Sequence, residues 1–283
     1  MSTKASGMKW GIGIVVVALL LLAGYLVLKH RRQAMAPATA TASSAPAPAS
    51  TLPPPEQHPI AQAQVNPAQA STAPLPALDH SDTMVRDALS RLAGRNVNGL
   101  LVKKALIPRM VATINALTGK SLPENILPVH DPRGMFRVSK LNGHAVIAPA
   151  TLDRYSPYVV PFEQADTQSM VAWYVHNYPL FEQAWKQLGY PQKSFNDRLV
   201  AVIDHLLATP DLQHAPDLVA VSGVYQFSDP GLENRSIGQK LLLRLGPAQE
   251  AKVKSRLRAI RDAITGQQQP AEPTSSSNVP GAD

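Results

Sequence analysis

Eight polar side chains in the second half of the chain lie beside apolar runs, and their types suit the recognition of a polar or anionic ligand. Arginine can hold a carboxylate or phosphate through two parallel N–H donors, and tyrosine adds a rigid polar edge. One hypothesis is that these side chains converge in a ligand-binding groove. The candidates are Arg154, Tyr155, Tyr225, Asp229, Glu233, Gln239, Lys240 and Arg244.

The same side chains have a second, structural interpretation. Arginine and tyrosine commonly tie loops to helix ends through hydrogen bonds, and Asp229-Pro230-Gly231 has the composition of a turn. An Arg154→Ala variant separates the two hypotheses. A folded but inactive variant favours the groove, and an unfolded one favours the structural role.

Several common catalytic and metal-binding motifs do not occur in this sequence. The eight histidines include no pair three to five residues apart, and the chain has no cysteine. These two facts exclude the common zinc-binding sequence motifs. A nucleophile elbow, a phosphate-binding loop and a dinucleotide fingerprint are also missing. We therefore predict no catalytic residue, metal ligand or cofactor and favour a non-enzymatic binding or scaffolding module. The alternative is an enzyme with an unrecognised site in the 154–244 region.

The N-terminal region predicts a single transmembrane helix. Residues 10–28 carry no charge and are long enough to cross a bilayer, and the basic residues Lys9, Lys29, Arg31 and Arg32 flank them. A cleaved signal peptide is the alternative, because Ala34-Met35-Ala36 could serve as a cleavage site. The long apolar run and the basic residues before that site favour an uncleaved anchor in the lipid bilayer.

The orientation of this anchor follows less directly from the sequence. The flanking charges slightly favour a cytoplasmic C-terminus, but long domains are translocated largely regardless of flanking charge. An Ala/Pro tether after a short N-terminus is similar to bacterial inner-membrane proteins that face the periplasm. We predict that orientation, with an envelope protein or cell-wall component as partner. Nucleic acid is not expected, and the oligomeric state is not predicted.

Composition divides the chain into four parts. Residues 1–35 form the anchor, and residues 36–78 form a predicted disordered linker with ten Pro, thirteen Ala and one charged residue. Residues 79–266 are the predicted soluble domain, and residues 267–283 a predicted disordered tail. The fold class is mainly α, a multi-helix domain with one or two short β-hairpins.

Hydrophobic periodicity, turn residues and helix-capping residues predict where the helices and strands of the domain lie. Asn142-Gly143 predicts a hairpin over 135–148, and residues 218–227 are β-like or irregular. Pro179 either kinks a helix or starts a new one, and Ser194 with Asp197 resembles a helix-capping box. Helices are predicted from Ser81 to Gly94 and over 97–106, 109–117, 166–177, 195–207, 236–245 and 248–264. Gly189 closes the helical segment that contains or starts at Pro179, and Pro210 stops the run after residue 207.

The last predicted helix is basic on one side. It carries an apolar stripe at helical spacing, so we expect it to dock on the core with its charged face in water. A second hypothesis is that this face meets anionic lipid. The basic residues are Lys252, Lys254, Arg256, Arg258 and Arg261.

Several motifs in order resemble a bacterial family, the domain-of-unknown-function family numbered 3014. They include RYSPYV (154–159), YPLFEQAWKQLGYP (178–191), FNDRLVAVIDHLLATP (195–210), YQFSDPGLE (225–233) and GQKLLLRLGP (238–247). The resemblance covers nearly all of residues 75–264. It implies a membrane-anchored proteobacterial protein and carries no assigned activity or catalytic residues.

Overall fold

A computed structural model of the chain describes residues 55–267. The predicted transmembrane helix at 10–28, the first part of the predicted linker and nearly all of the predicted tail lie outside these residues. Within residues 55–267, the structure is mainly helical with one small antiparallel sheet. No helix in this range is both long and apolar enough to cross a membrane.

Nine α-helices form the described domain, and most begin at a side-chain cap or a proline. Asp166, Ser194 and Ser236 each accept a hydrogen bond from a backbone N–H of the first helical turn. The Ser194 cap is the one that the sequence predicts. The helices are α1 (Asp82–Ala93), α2 (Leu106–Ala116), α3 (Pro149–Asp153), α4 (Ser156–Gln164), α5 (Thr167–Gln187), α6 (Phe195–Leu207), α7 (Pro230–Glu233), α8 (Ile237–Arg244) and α9 (Pro247–Thr265).

Two hairpins form one four-stranded antiparallel sheet in the order β1-β2-β3-β4. The first hairpin, β1 (Val138–Leu141) and β2 (His144–Ile147), confirms the one predicted over 135–148. The second hairpin, β3 (Leu218–Val221) and β4 (Val224–Phe227), lies in the region that the sequence predicts to be β-like or irregular. The two hairpins are joined where β2 pairs with β3 at Ala145 and Leu218. The sheet thus joins segments that are about 80 residues apart in sequence.

The domain repeats one order of elements twice. A helix is followed by a hairpin, a short helix that begins with proline, a further helix and a long helix, first from α2 to α5 and then from α6 to α9. In each half the first helix packs on the last. The repeat is visible in the sequence of the first helices at identical spacing. Five residues in and directly after α2 correspond to five residues in α6: Arg109, Val111, Ala112, Ile114 and Leu117 to Arg198, Val200, Ala201, Ile203 and Leu206.

The main hydrophobic core lies between these two sets of helices. Tyr174, Phe181, Trp185 and Phe195 are buried there with ring centroids 5.5–6.5 Å apart for the pairs that touch. A second, smaller core lies under the sheet and is closed by α7 and α8. It consists of Ile147, Leu218, Phe227, Leu232 and Leu243.

The predicted helix over 97–106 is wrong. Arg95–Gly99 forms a 3₁₀ turn, Leu101 pairs with Val129 in an isolated bridge, and Ala105 has a left-handed backbone (φ 58°). The carboxylate of Asp82 accepts the N–H groups of Ala105 and Leu106 at 2.9 and 2.8 Å, and so holds the start of α2. This contact joins residues more than 20 positions apart, which local periodicity does not reveal.

Pro179 lies inside α5, which continues from Thr167 to Gln187 without a break. The sequence left a kink and a new helix open, and the structure shows one helix. The proline side chain is exposed, whereas Leu180 and Phe181 beside it are buried. Packing of this face offsets the backbone hydrogen bond that proline cannot donate.

Residues 55–78, which composition assigns to the linker, lie against the domain. The N–H groups of Gln57 and His58 bond to the Asp197 carboxylate at 3.1 and 2.7 Å, and the Gln64 N–H bonds to the Ala263 carbonyl. Ile60, Val65, Leu75 and the buried Leu78 pack on the main core. This part of the predicted linker therefore packs on the domain through a few apolar side chains.

Candidate functional site

Five of the eight predicted ligand-binding residues form one electrostatic cluster. Arg154 and Tyr155 lie between α3 and α4, Glu233 ends α7, and Lys240 and Arg244 lie on α8. Tyr155 interacts electrostatically with both arginines, and Glu233 interacts with Arg244. The cluster carries three cationic side chains and one carboxylate.

The carboxylate of Glu233 is used within the fold. Its Oε2 accepts the Phe227 N–H at 3.0 Å, and its Oε1 accepts a hydrogen bond from Lys240 Nζ at 2.8 Å. These bonds tie the end of β4 to α8, and Lys240 is buried beneath them. The contacts of Glu233 and Lys240 therefore match the structural interpretation, in which these side chains stabilise the fold.

Arg244 is a charged side chain enclosed by the domain. It is 1% exposed, and its guanidinium lies over the Phe227 ring, 4.9 Å from the centroid. Burial lowers the pKa of Arg244, and Glu233 and Tyr155 oppose that shift. Among residues 55–267 the buried Nε and Nη1 atoms have no hydrogen-bond acceptor, so the guanidinium is held mainly by the ring and by the charge of Glu233.

Tyr155 connects this buried arginine to Arg154. Its hydroxyl is buried and has no partner among the described residues, and burial raises its pKa against the opposing charges of Arg154 and Arg244. The Arg154 guanidinium lies 5.3 Å from the Tyr155 ring centroid. A row of aromatic and cationic groups therefore leads from the interior towards the half-buried Arg154.

Arg154 lines a cleft of about 470 Å³. Its Nη2 donates to the Pro132 carbonyl at 2.9 Å, while its Nε and Nη1 are buried without an acceptor among residues 55–267. One helical turn later, the Tyr158 hydroxyl donates to the His130 carbonyl at 3.1 Å, so both side chains hold the 130–132 segment. The other polar lining residues include Asn96, His130, Asp131 and Arg133.

The remaining three predicted residues do not join the cluster. Tyr225 is half-buried with its ring 6.0 Å from that of Phe136. Asp229 is exposed and caps α7, where its Oδ1 accepts the Gly231 N–H at 2.7 Å. Gln239 is buried and donates to the His205 carbonyl at 3.0 Å. These contacts match the structural interpretation.

His130, Arg133 and Tyr158 line the cleft but are not among the residues predicted from the sequence. Arg133 and His130 are exposed and belong to a segment without regular structure, so no periodicity marked them. The signal that was available is the local composition, HDPRG, in which two basic residues flank a proline turn.

A serine–histidine pair is the contact that most resembles catalytic chemistry. His205 Nε2 lies 2.8 Å from Ser236 Oγ, and burial together with Arg198 and Arg235 lowers the pKa of His205. Ser236 is buried and also accepts the Gln239 N–H as the cap of α8. The neighbouring carboxylate of Asp204 is paired with Arg261, so it is already engaged elsewhere.

The basic face of α9 is largely paired with the domain. Lys254 is buried and bound by Glu250 and Asp211, Lys252 contacts Glu163, and Arg261 contacts Asp204. Arg256 donates to Thr167 and to the Glu163 carbonyl, and Arg258 is exposed. The apolar stripe docks on the core as predicted, but most of the charged face meets acidic and polar partners rather than water.

Comparison with known proteins gives one match. No curated protein and no solved structure matches the chain. The match is to the family described as "Protein of unknown function (DUF3014)" and covers residues 106–261, more than half of the chain. The chain therefore belongs to the DUF3014 family of proteins of unknown function.

Proposed function

We propose that this chain is a single-pass protein of the bacterial inner membrane whose folded domain lies in the periplasm and binds an anionic component of the cell envelope without catalysis. The anchor is the uncharged stretch at 10–28 with its basic flanks. The Ala/Pro-rich segment after it supplies reach, and the domain supplies the binding site. The ligand class is a carboxylate-bearing cell-wall component.

The Nε and Nη1 atoms of Arg154, which have no acceptor among residues 55–267, carry the binding part of this proposal. Buried N–H donors without an acceptor cost free energy, and a ligand carboxylate that reaches them recovers it. Arg133 and His130 add positive or protonatable groups to the same cleft, against the single acid Asp131. The cleft therefore favours anions of small size.

Calorimetric titration with soluble muropeptides, which carry carboxylates, tests the site. We expect the wild-type domain to bind and Arg154→Ala to bind about tenfold or more weakly, since a charge-assisted hydrogen bond contributes about 1.5–3 kcal/mol. Arg154→Lys should lie between them, because lysine keeps the charge but not the paired donors. Arg258→Ala removes an exposed arginine elsewhere and should bind like wild type.

Two outcomes count against the binding proposal. Equal affinities of the wild-type protein and Arg154→Ala show that the cleft is not the site. Failure of the wild-type protein to bind any muropeptide shows that the ligand is not of this class. Thermal denaturation of each variant identifies any loss of binding that is a loss of folding.

Membrane orientation is tested with C-terminal fusions to alkaline phosphatase and to a fluorescent protein that matures only in the cytoplasm. We expect phosphatase activity without fluorescence. The reverse result places the domain in the cytoplasm, rejects the periplasmic proposal and removes cell-wall components as ligands.

The contact between Ser236 and His205 gives the enzyme alternative one specific observation. Labelling of Ser236 by a fluorophosphonate, with loss of the label in His205→Gln, would support a hydrolase. Because the hydroxyl is buried and caps α8, we expect no labelling of the folded protein.

A further inference from the structure

A second cleft lies where residues 69–76 cross the surface of α1 and α5. Its volume is about 590 Å³, within the range of small-molecule sites in proteins. It is separate from the Arg154 cleft and has no lining residue in common with it. One wall is the segment that composition assigns to the linker, and the other is helical.

The walls of this cleft are mainly apolar. Met84 and Leu92 of α1 and Trp173 of α5 are only partly buried, so they retain apolar surface for a ligand. Pro74 and Pro76 face them from the crossing segment. A flat ring held between proline and tryptophan surfaces is the kind of body that such walls bind.

Two side-chain oxygens at the cleft are hydrogen-bond acceptors without a donor in the described chain. Asn177 Nδ2 donates to the Trp173 carbonyl at 2.8 Å, which fixes the amide orientation and leaves Oδ1 unpartnered. Gln69 Nε2 donates to Asp166 Oδ2 at 3.4 Å, and its Oε1 is likewise unpartnered. Both oxygens are buried, and an unmet buried acceptor is a cost that a ligand donor can remove.

The crossing segment is free to adjust around a ligand. Residues 71–76 form no backbone–backbone hydrogen bond within the part of the chain that the structure describes. The Gln69 amide is held by one long bond to an exposed carboxylate, so rotation of its side chain uncovers the acceptors at small cost. The segment is fixed on both sides of the cleft, by the Gln64 bond to Ala263 and by the buried Leu78.

We propose that this cleft binds a small ligand with a flat apolar body and N–H donors, and that the ligand fastens the end of the linker to the domain. The apolar body lies against Trp173, and the donors meet the oxygens of Gln69 and Asn177. Since the ligand contacts both walls, it stabilises the docked state of residues 69–76. The site does not depend on the anionic ligand proposed for the Arg154 cleft.

The test is titration of the full chain in detergent with 2-naphthamide, which has one N–H₂ group, and with methyl 2-naphthoate, which has a similar body and no donor. We expect the amide to bind in the millimolar to high micromolar range, as fragments of this size do. The ester should bind about tenfold more weakly, because it leaves both acceptors unmet.

Three variants locate the binding. Ala73→Phe puts a ring into the cleft from an exposed position and should abolish binding of both compounds, whereas Ala77→Phe, an exposed position of the same segment outside the lining, should not. Gln69→Ala should weaken the amide several-fold and leave the ester unchanged.

Hydrogen exchange measures whether the ligand stabilises the docked state of residues 69–76. The amides of residues 71–73, 75 and 77 should exchange more slowly in the presence of 2-naphthamide, because a ligand that bridges the walls suppresses opening. The proposal is overturned by absence of amide binding, by equal affinities for the amide and the ester, by unchanged binding to Ala73→Phe, or by unchanged exchange under saturation.

Discussion

Lys254 is the residue whose environment differs most from that of a helix surface. Its side chain is 1% exposed, and its ammonium group meets Glu250 at 2.9 Å, Asp211 at 2.7 Å and the Thr209 carbonyl. Removal of one partner of a buried ion pair leaves an uncompensated charge. We therefore expect Lys254→Met to lose about 3–5 kcal/mol of unfolding free energy in urea titrations.

The control for this variant removes both charges. Lys254→Met combined with Glu250→Leu should recover most of the lost stability, since no buried charge then remains unpaired. A loss below about 1 kcal/mol in the single variant would show that the ion pair contributes little.

Glu250 gives this cluster a pH dependence of known sign. Burial raises the pKa of Glu250 above its ordinary value of 4.5, with a further small upward contribution from Asp211, and Lys254 opposes the shift. The folded state therefore holds the Glu250 proton more tightly than the unfolded state does, and this advantage is lost as pH rises through the raised pKa.

Comparison with Glu250→Gln isolates the effect of this carboxyl. The stability of the wild-type protein minus that of the variant should fall as pH rises from about 4.5 and then level off above the folded pKa. Urea titrations of both proteins between pH 4 and 8 measure this difference. A difference that rises with pH contradicts the assignment.

At this scale the sequence predicted identities better than environments. Residue types beside apolar runs pointed to eight residues. The fold gathers five of them, Arg154, Tyr155, Glu233, Lys240 and Arg244, and leaves Tyr225, Asp229 and Gln239 outside the cluster. Periodicity also gave the buried stripe of α9. It could not show that Lys254 is buried, because that depends on Thr209 and Asp211, which follow another helix some 40 residues earlier.

Among the elements, the two hairpin turns form a natural comparison. Asn142-Gly143 and Ser222-Gly223 both have positive φ at their two central residues, 51° and 85° in the first turn and 49° and 80° in the second. Asparagine tolerates this conformation better than serine does. We expect Ser222→Asn to stabilise the domain by about 0.5–1 kcal/mol, seen as a melting temperature higher by about 1–4 °C.

The first turn supplies the reverse experiment. Asn142→Ser should lower the melting temperature by a similar amount, because it converts the favourable turn into the less favourable one. If both substitutions shift stability in the same direction, backbone preference at these positions is not the cause.

The elements that were predicted correctly are those specified by nearby residues. Asn142-Gly143 sets a hairpin by turn geometry alone, and Ser194 caps α6 within three residues. The start of α2 and the unbroken course of α5 depend instead on tertiary contacts, from Asp82 in one case and from the packing of Leu180 and Phe181 in the other. Prediction from neighbouring residues therefore gave a wrong helix over 97–106 and did not decide between a kink and a new helix at Pro179.

For the molecule as a whole, the second part of the predicted linker, residues 55–78, packs on the domain. A segment rich in Pro and Ala has little apolar surface to bury, which is why residues 36–78 are predicted to be disordered. In its second part, however, Ile60, Val65, Leu75 and Leu78 pack on the main core, and three short 3₁₀ helices begin in this segment. These side chains pack on the core of the domain, so the segment needs no core of its own.

Two truncated chains test the predicted boundary at residue 79. A chain of residues 79–267 lacks Leu78, Leu75 and the bonds to Asp197, whereas one of residues 55–267 keeps them. Burial of one leucine contributes about 1.5–3 kcal/mol, so the shorter chain should be less stable by on the order of 3–5 kcal/mol in urea titrations. Leu78→Ala in the longer chain should account for about 2–4 kcal/mol of that loss. Equal stability of the two truncated chains would show that residues 55–78 rest on the domain without supporting it, and the linker would then keep its full predicted length.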